Sequence, residues 1–129
     1  MERLAESARA LATLDEAAAI KSPSVMERDA ALIRFAYTFE SIWKTAQLCL
    51  AEIQDIDAGT QRDTIRACGA ANLLTAEQTR DVLSMAKDRN LIVHTYREAL
   101  ANHIHGRLRN HAALLPIWLD AIDKAARTA

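Results

Sequence analysis

Four polar side chains of different chemistry lie within eight residues of one another: Arg89, Asn90, His94 and Tyr96. Arginine carries a permanent charge on a planar fork that matches a phosphate, and an unperturbed imidazole can exchange a proton near neutral pH. A proton-transfer group beside a phosphate-binding cation can cleave a phosphodiester. The segment from Arg89 to Tyr96 is therefore the strongest candidate for a functional site.

The geometry of the backbone decides whether these side chains can act together. On one unbroken helix, Arg89 and His94 would lie about 140° apart, because each residue turns an α-helix by about 100°. The sequence Thr95-Tyr96-Arg97-Glu98 has the pattern of an N-terminal capping box, which predicts a new helix at about Tyr96. The preceding helix would then stop near residues 89 to 91, and Arg89 and His94 could converge on one pocket.

The same residues could also have a purely structural role. Arg and His near a helix C-terminus also complement the helix macrodipole, by about 0.3–1 kcal/mol, and a Tyr in a first helical turn often serves packing. His103, His105 and His111 lack carboxylates at metal-ligand spacing, so we expect no metal site. We place these three histidines at the surface or at helix ends.

Composition and periodicity predict an all-α protein. Helix-forming residues dominate, while the chain has only 3 Gly and 2 Pro. A first helix is predicted over the first 20 residues, ended by Ser22-Pro23-Ser24, with an apolar face of Leu4, Ala8, Leu11, Leu14 and Ala18. A second, long helix is predicted from about Met26 to Ile56. Its recurring stripe contains Ala30, Ile33, Tyr37, Glu40, Trp43 or Lys44, Gln47 and Leu50.

The rest of the chain predicts shorter helices with short connections. Residues 57–60 predict a turn, because Gly59 tolerates positive φ, and a helix follows from roughly Gln61 to Ala71. Thr75 and Gln78 form another capping box, which predicts a helix from Ala76. Helix resumes to about Asn110, and Pro116 either opens a final helix or kinks the existing one. About five helices predict an up-and-down bundle.

Length and charge limit the class of protein. The chain has 129 residues, of which 50% are hydrophobic and 26% charged, which predicts one soluble domain over residues 1–129. With a net charge of -1, nucleic-acid binding would need a local site, where Lys87 and Arg97 would add to the charge of Arg89. Cys49 and Cys68 have no CxxC spacing, and we find no signal peptide or apolar run of about 18 residues. We expect a cytoplasmic protein without membrane contact and with reduced thiols, although the sequence alone does not decide against a disulfide.

Two blocks of the sequence resemble the HEPN superfamily, in particular its small stand-alone members described as nucleotidyltransferase substrate-binding proteins. The pattern from Arg89 through His94 to Tyr96 is similar to the family signature Arg-x4-His-x-Tyr, and residues 28–45 resemble its second helix. The resemblance covers about residues 25 to 125. This chain lacks the family's usual Gly before Leu73-Leu74 and the Trp in the helix before the motif, which affects fine geometry more than chemistry.

The resemblance implies a HEPN-like homodimer in which the motifs of two subunits face each other. It implies a metal-independent endoribonuclease, with His94 as general acid or base, Arg89 stabilising transition-state charge, and Asn90 positioning one of them. Glu40, in the second-helix block, either pairs with Lys44 or lines the cleft.

The resemblance also implies the role and the partner of the protein. The expected function is the toxin of a toxin–antitoxin pair that cleaves RNA without a cofactor. Its antitoxin would be a cognate minimal nucleotidyltransferase, which in some systems attaches AMP to the tyrosine of the motif, here Tyr96. The alternatives are a non-catalytic nucleotide- or substrate-binding subunit of a nucleotidyltransferase, and a structural helical dimer with a vestigial motif.

Overall fold

The computed structural model describes residues 2–128, so Met1 and Ala129, the ends of the predicted domain, lie outside the described residues. This part of the chain forms five α-helices and no strand, which confirms the all-α bundle. The helices are α1 (Glu2–Ala18), α2 (Val25–Ile53), α3 (Gln61–Ala70), α4 (Ala76–Leu91) and α5 (Glu98–Arg127), with a 3₁₀ turn at Ile92–His94 between α4 and α5.

Local capping explains where α2, α3 and α4 begin. Ser24 accepts a hydrogen bond from the Glu27 amide, and the Glu27 carboxylate accepts one from the Ser24 amide. Thr60 caps α3 through the Asp63 amide. Thr75 caps α4 by the predicted capping box with Gln78, which is confirmed. These bonds satisfy amides that a helix N-terminus leaves without partners.

Two polar residues shape the connections that follow α2 and α3. Asp55 and Asn72 adopt positive φ angles of 55° and 64°, a region that Asp and Asn tolerate better than most residues. No glycine in residues 2–128 has a positive φ, so the turn expected at Gly59 does not use its conformational freedom.

The core lies between α1, α2 and α5, while α3 and α4 form a hairpin that packs against α2. Phe35, Phe39 and Trp118 are fully buried, and the rings of Phe39 and Trp118 lie 6.1 Å apart between centroids. Burial of each such side chain stabilises the fold by about 1.5–3 kcal/mol. The two long helices, α2 and α5, therefore provide the aromatic centre of the bundle.

The buried face of α2 differs from the predicted stripe. Ile33 and Tyr37 are exposed, at 55% and 42% of their surface, because this helix carries apolar residues on more than one face. The residues that face the core include the larger aromatic rings: Ala31, Leu32, Phe35, Phe39, Ile42, Ala46, Cys49 and Leu50. Periodicity alone could not choose between the two faces.

Helix α5 continues through Pro116 as one element of 30 residues, so the proline does not begin a separate helix. Proline lacks an N–H, so one hydrogen bond of the helix is absent at this point. Cys49 and Cys68 are free thiols, and burial raises the pKa of both, to about 11 for Cys68. Within residues 2–128, no helix combines the length and apolar content needed to cross a bilayer.

Candidate functional site

The residues of the sequence motif lie where α4 ends and α5 begins, in a segment that we call the corner (residues 89–97). Helix α4 ends at Leu91, within the predicted limits. The 3₁₀ turn and three further residues, Thr95 to Arg97, precede α5. Ile92 is buried, and the 3₁₀ turn contacts both α2 and α5. The helix break predicted between Arg89 and the following helix is therefore confirmed.

The predicted capping box at Thr95 is wrong. Helix α5 begins at Glu98, two residues later than expected, and its N-cap residue Arg97 makes no side-chain capping bond. The Thr95 hydroxyl instead donates to the Ile92 carbonyl at 2.7 Å, and the Thr95 amide bonds the same oxygen at 3.2 Å. Thr95 thus stabilises the end of the 3₁₀ turn rather than the start of the next helix.

A buried arginine of α2 binds the carboxylate that the capping box would have used. Arg28 donates two hydrogen bonds to Glu98, at 2.6 and 3.0 Å, and one to Asn102 at 3.1 Å. The hydrogen bond from Arg28 lowers the pKa of Glu98, and hydrogen bonds to Glu98 and Asp29 raise the pKa of Arg28. This fork-shaped pairing holds the first turn of α5 against α2, directly after the motif.

Arg89 and Glu40 form an ion pair across the helix interface. The Arg89 Nη2 atom lies 3.4 Å from Glu40 Oε2, and Lys44 lies 3.3 Å from the other carboxylate oxygen. The indole of Trp43 donates to Glu40 at 3.0 Å. Glu40 therefore pairs with Lys44, as one of the two interpretations expected, and it also contacts Arg89 of the motif. Burial raises the pKa of Glu40, but the bonds from Trp43 and Lys44 and the charges of Arg89 and Lys44 outweigh burial and lower it.

His94 and Tyr96 lie on the solvent side of the corner. Both are exposed, Tyr96 to 79%, and their rings meet edge to face with centroids 6.2 Å apart. Asn90 is also exposed, and within residues 2–128 its side chain has no hydrogen-bond partner. No hydrogen bond or ion pair links Arg89 to His94 in the same residues; Arg89 pairs with Glu40, whereas His94 contacts the ring of Tyr96.

A second polar cluster, which the sequence did not reveal, lies beside Arg89. Asp88 is buried at the end of α4 and accepts hydrogen bonds from the Nε and Nη2 atoms of Arg107 and from His111 Nε2 at 2.7 Å. His111 also stacks on Phe35, with centroids 5.1 Å apart. Burial raises the pKa of Asp88, but the hydrogen bonds from Arg107 and His111 outweigh burial and lower it.

The surface position predicted for His111 is therefore wrong. The buried residues of α5 recur at steps of three and four, and His111 occupies one of these steps: Ala101, Ile104, Leu108, His111, Leu115, Trp118 and Ile122. Continuing the apolar periodicity through the histidine would have placed it in the core. His103 is exposed and His105 is half-buried.

The corner combines a held cation with an exposed imidazole and an exposed phenol. Arg89 and Lys44 carry +1 each and Glu40 carries -1, which leaves a local charge of +1 from these three groups. Such a site can receive an anion such as a phosphate, and an imidazole can exchange protons beside it. No group of three or more His, Cys, Asp or Glu side chains in the described part of the chain is arranged to hold a metal ion.

Known structures share this fold. A protein from Thermus thermophilus is 42% identical, with a TM-score of 0.87 over 90% of this chain and 98% of that chain. A toxin–antitoxin crystal structure with AMP-PNP has a TM-score of 0.77 at 17% identity, over 94% of this chain and 95% of that chain. A tri-AMPylated HEPN toxin from Shewanella oneidensis in complex with MNT antitoxin has a TM-score of 0.78 at 17% identity, over 95% of both chains. At this low identity, the last two comparisons establish the fold alone.

Sequence comparison gives the family. No curated protein matches the chain significantly. The model of the family described as "Nucleotidyltransferase substrate binding protein like" matches residues 2–124, nearly the whole chain. The chain therefore belongs to the nucleotidyltransferase substrate binding protein like family.

Proposed function

We propose that this protein is the toxin of a cytoplasmic toxin–antitoxin pair, a HEPN-type endoribonuclease that a nucleotidyltransferase antitoxin neutralises. The main support is the corner, where Arg89 is held by Glu40 at the end of α4 and the next turn exposes His94 and Tyr96. The fold shared with the two toxin–antitoxin structures adds support for the role.

The proposed reaction is an internal transfer within the RNA chain. His94 removes the proton from a ribose 2′-hydroxyl, whose oxygen attacks the adjacent phosphorus while the bond to the 5′-oxygen breaks. The leaving oxygen takes up a proton, and the products are a 2′,3′-cyclic phosphate and a 5′-hydroxyl. Arg89 stabilises the additional negative charge on the phosphorus-bound oxygens in the transition state. Asn90, exposed beside Arg89, orients the substrate or one of these groups.

Glu40 prepares Arg89 for this role without cancelling its charge. A carboxylate shared between Arg89 and Lys44 fixes the direction of the guanidinium while the three groups together stay positive. Lys87 and Arg97, both exposed, add positive charge near the corner. This local field offsets the overall charge of -1, which would otherwise repel RNA.

The proposed active unit is a homodimer with two facing corners. One corner alone leaves His94 and Tyr96 open to solvent, whereas a second copy would enclose the substrate. The exposed apolar face of α2, with Met26, Ile33 and Tyr37, offers surface for such an interface. Light scattering at micromolar concentration should give twice the monomer mass of 14.3 kDa, and a monomer would contradict the composite site.

Growth and RNA assays test the enzyme. Expression of the protein alone in a bacterium should arrest growth, and His94→Ala should abolish the arrest. His105→Ala serves as the matched control, because His105 lies on α5 outside the corner and should leave the toxicity unchanged. Purified protein should cleave RNA in EDTA and leave 2′,3′-cyclic phosphate ends. Intact RNA together with unimpaired growth would contradict the proposal.

Tyr96 is the proposed target of the antitoxin. Its exposed hydroxyl can attack the α-phosphorus of ATP held by the nucleotidyltransferase, which releases pyrophosphate and leaves AMP on the oxygen. The added phosphate would lie beside His94 and compete with RNA for Arg89. Intact mass after co-expression with the cognate nucleotidyltransferase should show one or more AMP groups. Tyr96→Phe should prevent this gain, whereas Tyr37→Phe, at the other tyrosine of the chain, should not.

The family description favours one alternative, a non-catalytic subunit that presents a nucleotide or substrate to a nucleotidyltransferase. The same corner could hold an anionic substrate through Arg89 without chemistry at His94. In that case the wild-type protein would be harmless but would bind the nucleotidyltransferase and raise its activity. His94→Ala would then leave growth unchanged, and Arg89→Ala would weaken the stimulation.

A further inference from the structure

Asp88 is the most deeply buried carboxylate near the corner, and α5 surrounds it with donors. Its side chain is 4% exposed, and both carboxylate oxygens accept hydrogen bonds from the guanidinium of Arg107. His111 Nε2 must carry a hydrogen here, because a carboxylate only accepts, and it donates to Oδ2 at 2.7 Å. Arg107 also contacts the imidazole of His103. The last turn of α4 is thus bound to α5 through a buried ionic cluster.

The next residue in the chain binds a different helix. Arg89 follows Asp88 and pairs with Glu40 of α2. Successive residues of an α-helix point about 100° apart, so the two side chains hold the same turn of α4 from two directions. Two contacts at such an angle restrict both the position of the turn and its rotation about the helix axis.

These two polar contacts matter because α4 packs mainly against α3, the other helix of its hairpin, and less against α2 and α5. The Nε atom of Arg89 is buried and has no hydrogen-bond partner within residues 2–128. A small rotation of α4 would therefore change the direction of the guanidinium, because the Nε atom makes no hydrogen bond that would hold it in place.

We infer that Asp88 is a positioning residue for Arg89: the cluster of Asp88, Arg107 and His111 sets the rotation of the last turn of α4 and thereby directs the guanidinium towards Glu40. The effect of Asp88 on RNA cleavage rests on the proposed function. Its effect on the placement of Arg89 does not, since it follows from the contacts alone.

Asp88→Asn is the informative substitution because it preserves size. The amide replaces one acceptor oxygen with an NH₂ donor, which must then face a donor of Arg107 or His111. At least one hydrogen bond of the buried cluster is lost, and the remaining donors are left without a charged partner. Arg107→Gln breaks the same cluster from the half-buried side, which provides a second variant should Asp88→Asn fail to fold. Asp123→Asn is the matched control, since Asp123 pairs with Arg127 on the surface of α5.

The first measurement is the NMR signal of the Arg89 Nε–H group, assigned by its loss in Arg89→Lys, together with its hydrogen exchange. In the wild type, burial should protect this proton. Asp88→Asn and Arg107→Gln should each speed its exchange about tenfold, the change expected when a charge-assisted hydrogen bond that opposes local opening is lost. Asp123→Asn should leave it unchanged. Equal exchange in folded Asp88→Asn, Arg107→Gln and Asp123→Asn would overturn the inference.

The second measurement is RNA cleavage by the same folded variants. Asp88→Asn should lower kcat and leave KM nearly unchanged, because a displaced Arg89 loses contacts made in the transition state. Full wild-type kcat in a variant whose Arg89 exchange is faster would overturn the catalytic part of the inference. A wild type that cleaves no RNA, but whose Arg89 exchange responds as expected, supports the positioning by Asp88 and contradicts only the ribonuclease.

Discussion

Gly69 of α3 lies against Thr79 of α4, and its replacement by alanine tests the geometry of the hairpin that carries Arg89. A Cβ atom at this position would lie 2.6 Å from Thr79 Oγ1 and 3.2 Å from Thr79 Cγ2. Both distances are shorter than ordinary contacts between such atoms. Thr79 is branched at Cβ, and its hydroxyl donates to the Thr75 carbonyl at 2.7 Å, so rotation away from the clash would break that bond.

The expected loss of stability follows from opposing contributions. Ala is intrinsically better than Gly in a helix by about 0.8–1.0 kcal/mol. Insertion of a methyl group into a filled contact costs about 1–3 kcal/mol, and loss of the Thr79 hydrogen bond costs about 0.5–1.5 kcal/mol. Gly69→Ala should therefore lower the free energy of unfolding by about 0.5–3.5 kcal/mol, because the two costs together exceed the gain in helix propensity.

Gly106→Ala is the matched control. Gly106 lies within α5, and a Cβ there would meet no atom within 4 Å. The same substitution should then raise the free energy of unfolding by about 0.5–1 kcal/mol. Urea unfolding followed by circular dichroism measures both changes. In the double variant Gly69→Ala/Thr79→Ala, removal of the Thr79 hydroxyl and methyl should restore about 1 kcal/mol. An equal gain in stability from both glycine substitutions would refute the close approach of α3 and α4.

Three further predictions concern caps, pH and the ion pair of the corner. Thr75→Ala should lower the free energy of unfolding by about 1 kcal/mol in urea titrations, since it removes a capping box. Thr95→Ala should lower the free energy of unfolding by less than Thr75→Ala does. An equal loss in the two variants would contradict the absence of a side-chain cap at the start of α5. The folded-state pKa of Asp88 is lowered, so its stabilisation is complete above the ordinary carboxyl pKa and is lost as pH falls through the lowered one. The urea midpoint should fall as the pH is lowered below the ordinary carboxyl pKa, and Asp88→Asn should make the midpoint depend less on pH. An unchanged pH dependence in Asp88→Asn would contradict the lowered pKa. Glu40→Gln should cost less than about 1 kcal/mol, because its pair with Arg89 is partly exposed, yet it should weaken growth arrest. Undiminished toxicity would show that Arg89 does not need Glu40.

The helix break at the corner was predictable from the sequence, but the reason for it was not. The Thr95 pattern suggested a capping box, whereas the side chain bonds back to Ile92 and Glu98 binds Arg28 instead. A capping motif competes with every other partner that the fold brings near its residues. The box at Thr75 formed as expected because its Gln78 has no such competitor among the bonds of the described residues.

The sequence could not show which polar residues meet. The bonds between Arg28 and Glu98 join residues 70 positions apart, and those between Asp88 and His111 join residues 23 positions apart. His111 was expected at the surface or at a helix end, although its position in the periodicity of α5 is a buried one. The same limit applies to α2, where two apolar faces were available and only contact with α1 and α5 selected one.

The sequence by itself determined the helices, most of their ends and the position of the corner, because these depend on spacing and hydrogen bonds within a few residues. The eight-residue motif also identified the chemistry worth testing at Arg89, His94 and Tyr96. Only the tertiary structure decided that Arg89 pairs with Glu40 and that Asp88 is enclosed by Arg107 and His111. Burial strengthens the cluster around Asp88, and both pairings depend on how distant helices pack rather than on any local pattern.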